Sequence, residues 1–184
     1  MPVRRTVDVS HVISFEHPGI SVKNAGLVIL STYTSILFER LGLIEDKLFK
    51  TEKHQLNAVQ YLQCLATGSS HTEEQLLALN KIMCGLPLSA SVPDKIEVSP
   101  EDRELIHGLI KAAIGYWAAI GECSVDGFRG NWLVRDGLLR EQADKWELTV
   151  EKRAYDVLIN KSPFSFSTLK HPWMDKPIHV SWPH

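Results

Sequence analysis

Eight histidines are the residues of this 184-residue chain that most readily suggest a metal site. Imidazole is a common metal ligand, but a ligand pair on one helix or strand needs HxxxH or HxH spacing. Neither spacing occurs, and the three cysteines, Cys64, Cys84 and Cys123, include no CxxC pair. We therefore expect no metal and no cofactor, and we interpret the cysteines as buried free thiols.

Charged groups around two aromatic residues form a second candidate site, in the stretch SVDGFRGNWLVRDGLL (residues 124–139). Its members are Asp126, Phe128, Arg129, Trp132, Arg135 and Asp136. Two acids and two arginines this close to apolar rings favour a buried or half-buried ion-pair network. We interpret the site as a structural clamp between the last helix and the following hairpin, and a polar partner-binding site is the alternative.

Catalytic patterns are weak in this sequence. The glycines lack the GxGxxG and GxxxxGK[ST] spacings that cradle phosphates. An enzyme would need an acid–base pair in a pocket, and His107 with Glu104 or Asp126 is the best candidate pair. We predict no catalytic residues and no enzymatic activity.

Charge and hydropathy restrict the partners. The 20 Lys and Arg residues against 22 Asp and Glu give a formal charge of −2, which offers no attraction to nucleic acid. No apolar run approaches the ~20 residues that cross a bilayer, and no apolar signal core follows the start MPVRRTVDVSH. We expect a cytoplasmic protein without membrane insertion.

Hydrophobic periodicity predicts an α+β fold, with a four-helix N-terminal two-thirds followed by a small antiparallel sheet at the C-terminus. Asn24, Thr51, Thr72, Ser99 and Ser124 are the predicted N-caps. We expect residues 1–23 to be an N-terminal arm or short strand and residues 24–184 to be a single compact domain. Helices should cover about 24–122, and a short helix plus the small sheet about 124–182.

The end of the chain, HPWMDKPIHVSWPH (residues 171–184), could bind a metal or close a core. Ile178, Val180 and Trp182 alternate with His179 and Ser181, which is the period of a strand. We predict that the three apolar residues point inward and that His179 points outward.

Several motifs, taken in order, resemble one family. They are NAGLVIL, LFERLGL, AVQYLQCLATG, LNKIMCGLP, SVDGFRGNWLVRDGLL, WELTVEKRAYDVLI and HPWMDKPIHVSW. From about Asn24 to Trp182 the chain is similar to the conserved C-terminal region of the contractile injection system tape measure proteins of bacterial phage-tail-like particles. The resemblance implies a non-enzymatic structural and assembly protein that sets tube and sheath length. It further implies protein partners in the tube, sheath or cap, and a location in the cytoplasm during assembly and then in the particle.

Length limits that role, because even a wholly helical chain of 184 residues reaches only about 280 Å. The sequence is then either the terminal domain of a longer gauge protein or a short relative with another assembly role. The alternative function is a small protein-binding or chaperone-like module that captures a partner helix or strand, for example at an unpaired sheet edge. The sequence sets no oligomeric state.

Overall fold

Five α-helices, four 3-10 helices, one π-helical turn and seven β-strands form the regular structure of residues 18–184, the part of the chain that this computed structural model describes. The helices are α1 (Thr34–Arg40), α2 (Glu52–Thr67), α3 (Ala78–Met83), α4 (Pro100–Tyr116) and α5 (Val125–Phe128). The strands are β1 (Ile20–Val22), β2 (Ile44–Glu45), β3 (Leu48–Phe49), β4 (Gly137–Glu141), β5 (Trp146–Val150), β6 (Thr168–Leu169) and β7 (Ile178–Ser181). None of the helices in these residues is long and apolar enough to cross a membrane.

The two longest helices begin where the sequence predicts. The Thr51 hydroxyl accepts a hydrogen bond from the His54 backbone N–H, and the Ser99 hydroxyl accepts one from that of Asp102. Pro100 occupies the first turn of α4, where its missing N–H leaves no bond unmade. Both N-cap predictions are confirmed.

The segment after Asn24 differs from its prediction. It starts as a 3-10 helix, Ala25–Tyr33, and becomes α-helical only in α1. The Asn24 side-chain amide donates to Gln63 Oε1 at 2.8 Å and to Asn80 Oδ1 at 2.5 Å inside the core. Asn24 therefore makes no cap, because its side chain bonds across the core instead.

The third predicted helix is shorter in the structure than its hydrophobic periodicity predicts. A 3-10 turn, Glu74–Leu76, precedes α3, and Thr72 caps neither of them. The Thr72 backbone N–H donates to the Asp94 carbonyl, and the Thr72 carbonyl accepts from Gln60 Nε2. These bonds tie Thr72 to the loop before α4 and to α2, so the predicted cap is wrong.

The five-stranded sheet has the order β1-β4-β5-β7-β6, and β2 and β3 form a separate hairpin among the helices. The α+β class is confirmed, but a purely antiparallel C-terminal sheet is wrong, because β5 and β7 are parallel and β1 precedes the helices. Residues 151–177 give the long connection that a parallel pair requires. The predicted arm of residues 1–23 includes strand β1, whereas residues 1–17 lie outside the described residues.

One face of the sheet covers the core. Trp146, Leu148 and Val150 on β5 are buried, as their alternation predicts. On β7, Ile178 is buried and His179 is exposed as predicted, whereas Val180 is half-buried. The sheet packs on the helical part, where β5 contacts the first 3-10 helix and β1 contacts α3.

Candidate functional site

Residues 124–136, called the clamp segment below, connect the helical part to the sheet. The Ser124 hydroxyl accepts from the Gly127 backbone N–H at 2.9 Å and caps α5. The helix then widens into a π-helical turn, Arg129–Leu133, which closes with a bond from the Val134 N–H to the Arg129 carbonyl. This turn places Arg129 and Trp132 in the core, where both are buried.

Arg129 holds the C-terminal end of α2. Its Nε donates to the Leu65 carbonyl and its Nη2 donates to the Cys64 carbonyl, both at 3.1 Å. These carbonyls lie in the last turn of α2, where a cation interacts favourably with the helix dipole. Asp126 lies 3.3 Å from Arg129 Nη1, but its side chain is 91% exposed. The bonds to α2, rather than the ion pair, determine the position of Arg129.

Arg135 forms a fully buried ion pair with Asp156. Its Nη1 and Nη2 donate to the two carboxylate oxygens at 3.0 and 2.5 Å, and neither side chain is exposed. The same guanidinium donates to the carbonyls of Asn131 and Glu151. Arg135 therefore joins the clamp segment to the chain that leaves β5.

Asp156 also binds the turn after β5 and the chain that follows β7. It accepts from the Arg153 backbone N–H and from Trp182 Nε1, each at 2.9 Å. Burial alone would raise the pKa of this carboxyl, but the hydrogen bonds from Arg135, Arg153 and Trp182 together hold the pKa below its usual value. Asp156 is thus a carboxylate whose oxygens are already occupied by protein donors.

Aromatic rings surround the ion pair. The Arg135 guanidinium lies 5.0 Å from the ring centroid of Trp182 and 5.7 Å from that of Tyr155, which are cation–π distances. The ring centroid of Trp132 lies 4.5 Å from that of Trp117 and 5.2 Å from that of Tyr155. Aromatic rings from three separate parts of the chain enclose the guanidinium and exclude water from it.

The backbone of the clamp segment also meets the first 3-10 helix. The Ala25 N–H donates to the Arg135 carbonyl at 2.9 Å. A Cβ atom placed on Gly26 would lie 1.6 Å from the Trp132 carbonyl oxygen. Only glycine permits this close approach of two backbones.

The six residues predicted for the site divide into two groups. Phe128, Arg129, Trp132 and Arg135 are buried. A partner-binding site, the alternative to the clamp, therefore has no exposed ring or guanidinium group at these four positions, since the core takes them up. Asp126 and Asp136 are exposed, and Asp136 forms a surface ion pair with Lys23 at 3.2 Å.

Sequence reasoning missed the partners of these arginines. Asp156, Arg153, Tyr155 and Trp182 all come from the last third of the chain. Asp156 was the detectable signal, because it is an acid within the apolar helical turn AYDVLI. Its pairing with a residue 21 positions away has no periodicity that a sequence pattern could reveal.

Other chemistry proposed from the sequence lies elsewhere. Glu104 is an exposed residue of α4 and His107 is half-buried on the same helix. Within residues 18–184, no group of three or more His, Cys, Asp or Glu side chains is placed to hold a metal ion. His171 is buried, with its ring stacked 4.8 Å from that of Trp173, and burial lowers its pKa to about 4.

Comparison with known proteins gives one family. The family model described as contractile injection system tape measure protein matches residues 10–182. Neither the curated proteins nor the solved structures gave a match. Because the matched region covers nearly the whole chain, including all of the clamp segment and its partners, the chain belongs to the contractile injection system tape measure protein family.

Proposed function

We propose that this chain is a non-enzymatic assembly component of a contractile injection system. The family match over residues 10–182 is the observation that carries the proposal. The chemistry of the candidate site supports it. Arg129 and Arg135 donate to backbone carbonyls and to Asp156, so these groups stabilise the fold instead of facing a substrate.

The finer proposal is that the chain helps to set tube and sheath length while bound to a tube, sheath or cap protein. It would then be present in the cytoplasm during assembly and enter the particle. The longest helix in the described residues has 17 residues, or about 25 Å, and the sheet returns the chain on itself. This shape favours a folded docking part over an extended ruler.

The exposed acids beside the buried arginines are the members of the candidate site that a protein partner can reach. Asp126 has a 91% exposed side chain, and Asp136 is exposed immediately before β4. We place the contact with the partner at this acidic rim. The buried arginines would keep the rim in position without touching the partner.

Deletion and complementation in cells that make the particle test the proposal. We expect deletion to abolish the particles or to broaden their length distribution in electron micrographs, and wild-type protein to restore both. Tagged protein should capture a tube, sheath or cap protein identified by mass. Normal particles after deletion, with no capture of any particle component, would refute an assembly role.

Charge reversal separates the rim contact from the assembly role. Asp126→Lys and Asp136→Lys together should reduce capture of the particle component while leaving the unfolding curve nearly unchanged, since surface charges contribute little to stability. Lys145→Glu on the hairpin between β4 and β5 is the matched control. If the double reversal captures as much as wild type, the partner binds another surface.

A further inference from the structure

An apolar groove opens between α1 and α4, away from the clamp segment. It encloses about 460 Å³ and is lined by side chains from both helices. Ile36 on α1 and Tyr116 on α4 line it with exposed fractions of 50% and 67%. Leu105 and Leu109 form half-buried parts of its wall. A groove with this much exposed apolar surface favours a protein occupant over water.

The outer ridge of α4 can accept a second helix at close range. Gly108 and Ala112 line the groove, and both are exposed. A Cβ atom on Gly108 would meet nothing within 4 Å, so no residue of the described chain fills the space above it. Glycine disfavours a helix interior, and open space at its Cβ shows that packing within the described residues does not require it.

Two charges on the same ridge identify the occupant. Glu104 and Lys111 are seven residues apart, so they lie on the same side of α4, two turns from each other. Both are exposed, and neither belongs to an ion pair among residues 18–184. Their separation is too large for a bond along the helix, which joins residues three or four apart.

A two-fold axis that passes beside α4, perpendicular to it and level with its middle, makes these charges complementary. In an antiparallel pair of α4 helices centred between His107 and Gly108, Glu104 of one copy comes level with Lys111 of the other, and the symmetry forms the pair twice. Gly108 then lies at the closest approach, and Ile36 lies beside the contact. The ridge is therefore complementary in charge to its own antiparallel copy.

We propose that the groove between α1 and α4 is the interface between two copies of this chain. Each copy places α4 antiparallel on the α4 of the other and covers the exposed Ile36 and Tyr116. The inference is independent of the assembly role, because it rests on charge and exposure within α1 and α4.

Analytical ultracentrifugation of the 184-residue chain from about 1 μM to about 500 μM tests it. We expect the mass to rise with concentration towards twice the monomer mass. Glu104→Lys and Lys111→Glu should each weaken the dimer about tenfold, because each replaces two attractions with two repulsions, and the double variant should recover most of the loss. Lys53→Glu on α2 is the control: it reverses an exposed charge outside the groove and should leave the dimer affinity unchanged.

Gly108→Gln is the steric test. The open space at its Cβ predicts a folded monomer with normal stability, whereas the inserted side chain should separate the two α4 helices and lower dimer affinity by at least about tenfold. A chain that stays monomeric up to the highest concentration overturns the proposal. A dimer that is equally insensitive to Glu104→Lys, Lys111→Glu and Gly108→Gln also overturns it, because another face would then hold the copies together.

Discussion

The carboxylate of Asp156 accepts hydrogen bonds from both terminal nitrogens of Arg135, at 3.0 and 2.5 Å, with both side chains fully buried. Removing one partner of such a pair leaves a buried charge, which is more costly than removing both. The pair therefore gives the sharpest test of the clamp interpretation.

We expect Arg135→Met to lower the free energy of unfolding by about 3 kcal/mol and Asp156→Leu by more, about 4–5 kcal/mol. The asymmetry arises because Asp156 can take up a proton when its partner is lost, whereas an arginine stays charged. The double variant should be more stable than Asp156→Leu alone. Urea unfolding of the three variants measures the coupling, and additive losses would show that the two side chains act independently.

Arg129 and Asp126 should differ in their contributions to stability, although they form one ion pair. Arg129→Met leaves the Leu65 carbonyl without its donor and removes one of the two donors to the Cys64 carbonyl, which keeps the Gly68 N–H, and should cost about 2–3 kcal/mol. Asp126→Asn should cost less than about 0.5 kcal/mol, since its carboxylate is exposed. Thermal and urea unfolding measure both losses. Equal losses would place the stabilising interaction in the ion pair instead of at the end of α2.

Gly26 tests the close approach of the two backbones. Gly26→Ala should destabilise the protein by more than ~3 kcal/mol, because the new methyl group would overlap the Trp132 carbonyl. Gly115→Ala on α4 is the matched control: its Cβ meets nothing within 4 Å, so alanine should stabilise by about 0.5–1 kcal/mol. Urea unfolding at low protein concentration measures the stability of both variants. A small loss at Gly26 would mean that the clamp segment can move away from the first 3-10 helix.

His171 should make stability depend on pH in mildly acidic solution. Burial lowers the pKa of His171 to about 4, whereas an unfolded histidine titrates near 6.5. The unfolded chain therefore binds the proton first, and the contribution of this group to stability is complete above pH 6.5 and is lost as pH falls towards 4. The loss should reach about 3 kcal/mol.

His171→Phe should remove this slope, because phenylalanine keeps the stack on Trp173 and does not titrate. His179→Gln on the exposed face of β7 is the matched control and should retain the slope. Urea unfolding at several pH values between 4 and 7 measures both variants. A slope that survives in His171→Phe would assign the acid sensitivity to another group.

Local signals in the sequence predicted local structure. Thr51 and Ser99 cap their helices, and the alternation of Trp146, Leu148 and Val150 places all three inward. In each case the deciding interaction lies within a few residues along the chain, where propensity and period act.

Interactions between distant residues were the ones that the sequence left open. Asn24 is of a residue type that often caps helices, but its side-chain amide donates to Gln63 and Asn80, 39 and 56 positions away. The buried pair of Arg135 with Asp156 and the parallel pairing of β5 with β7 likewise depend on chain topology, which no single segment specifies. The clamp residues could be chosen from their types, whereas their burial depended on residues from the last third of the chain.

The position of β7 between β5 and β6 also has a consequence for folding during synthesis. Strand β7 and Trp182 are made after the other six strands described, yet β7 pairs in the interior of the sheet and Trp182 donates to Asp156. A growing chain on the ribosome therefore holds Asp156 without its hydrogen bond from Trp182, and β5 without its β7 partner, until β7 and Trp182 leave the exit tunnel. Completion of the sheet and of the hydrogen bonds to Asp156 is thereby coupled to the translation of β7 and Trp182.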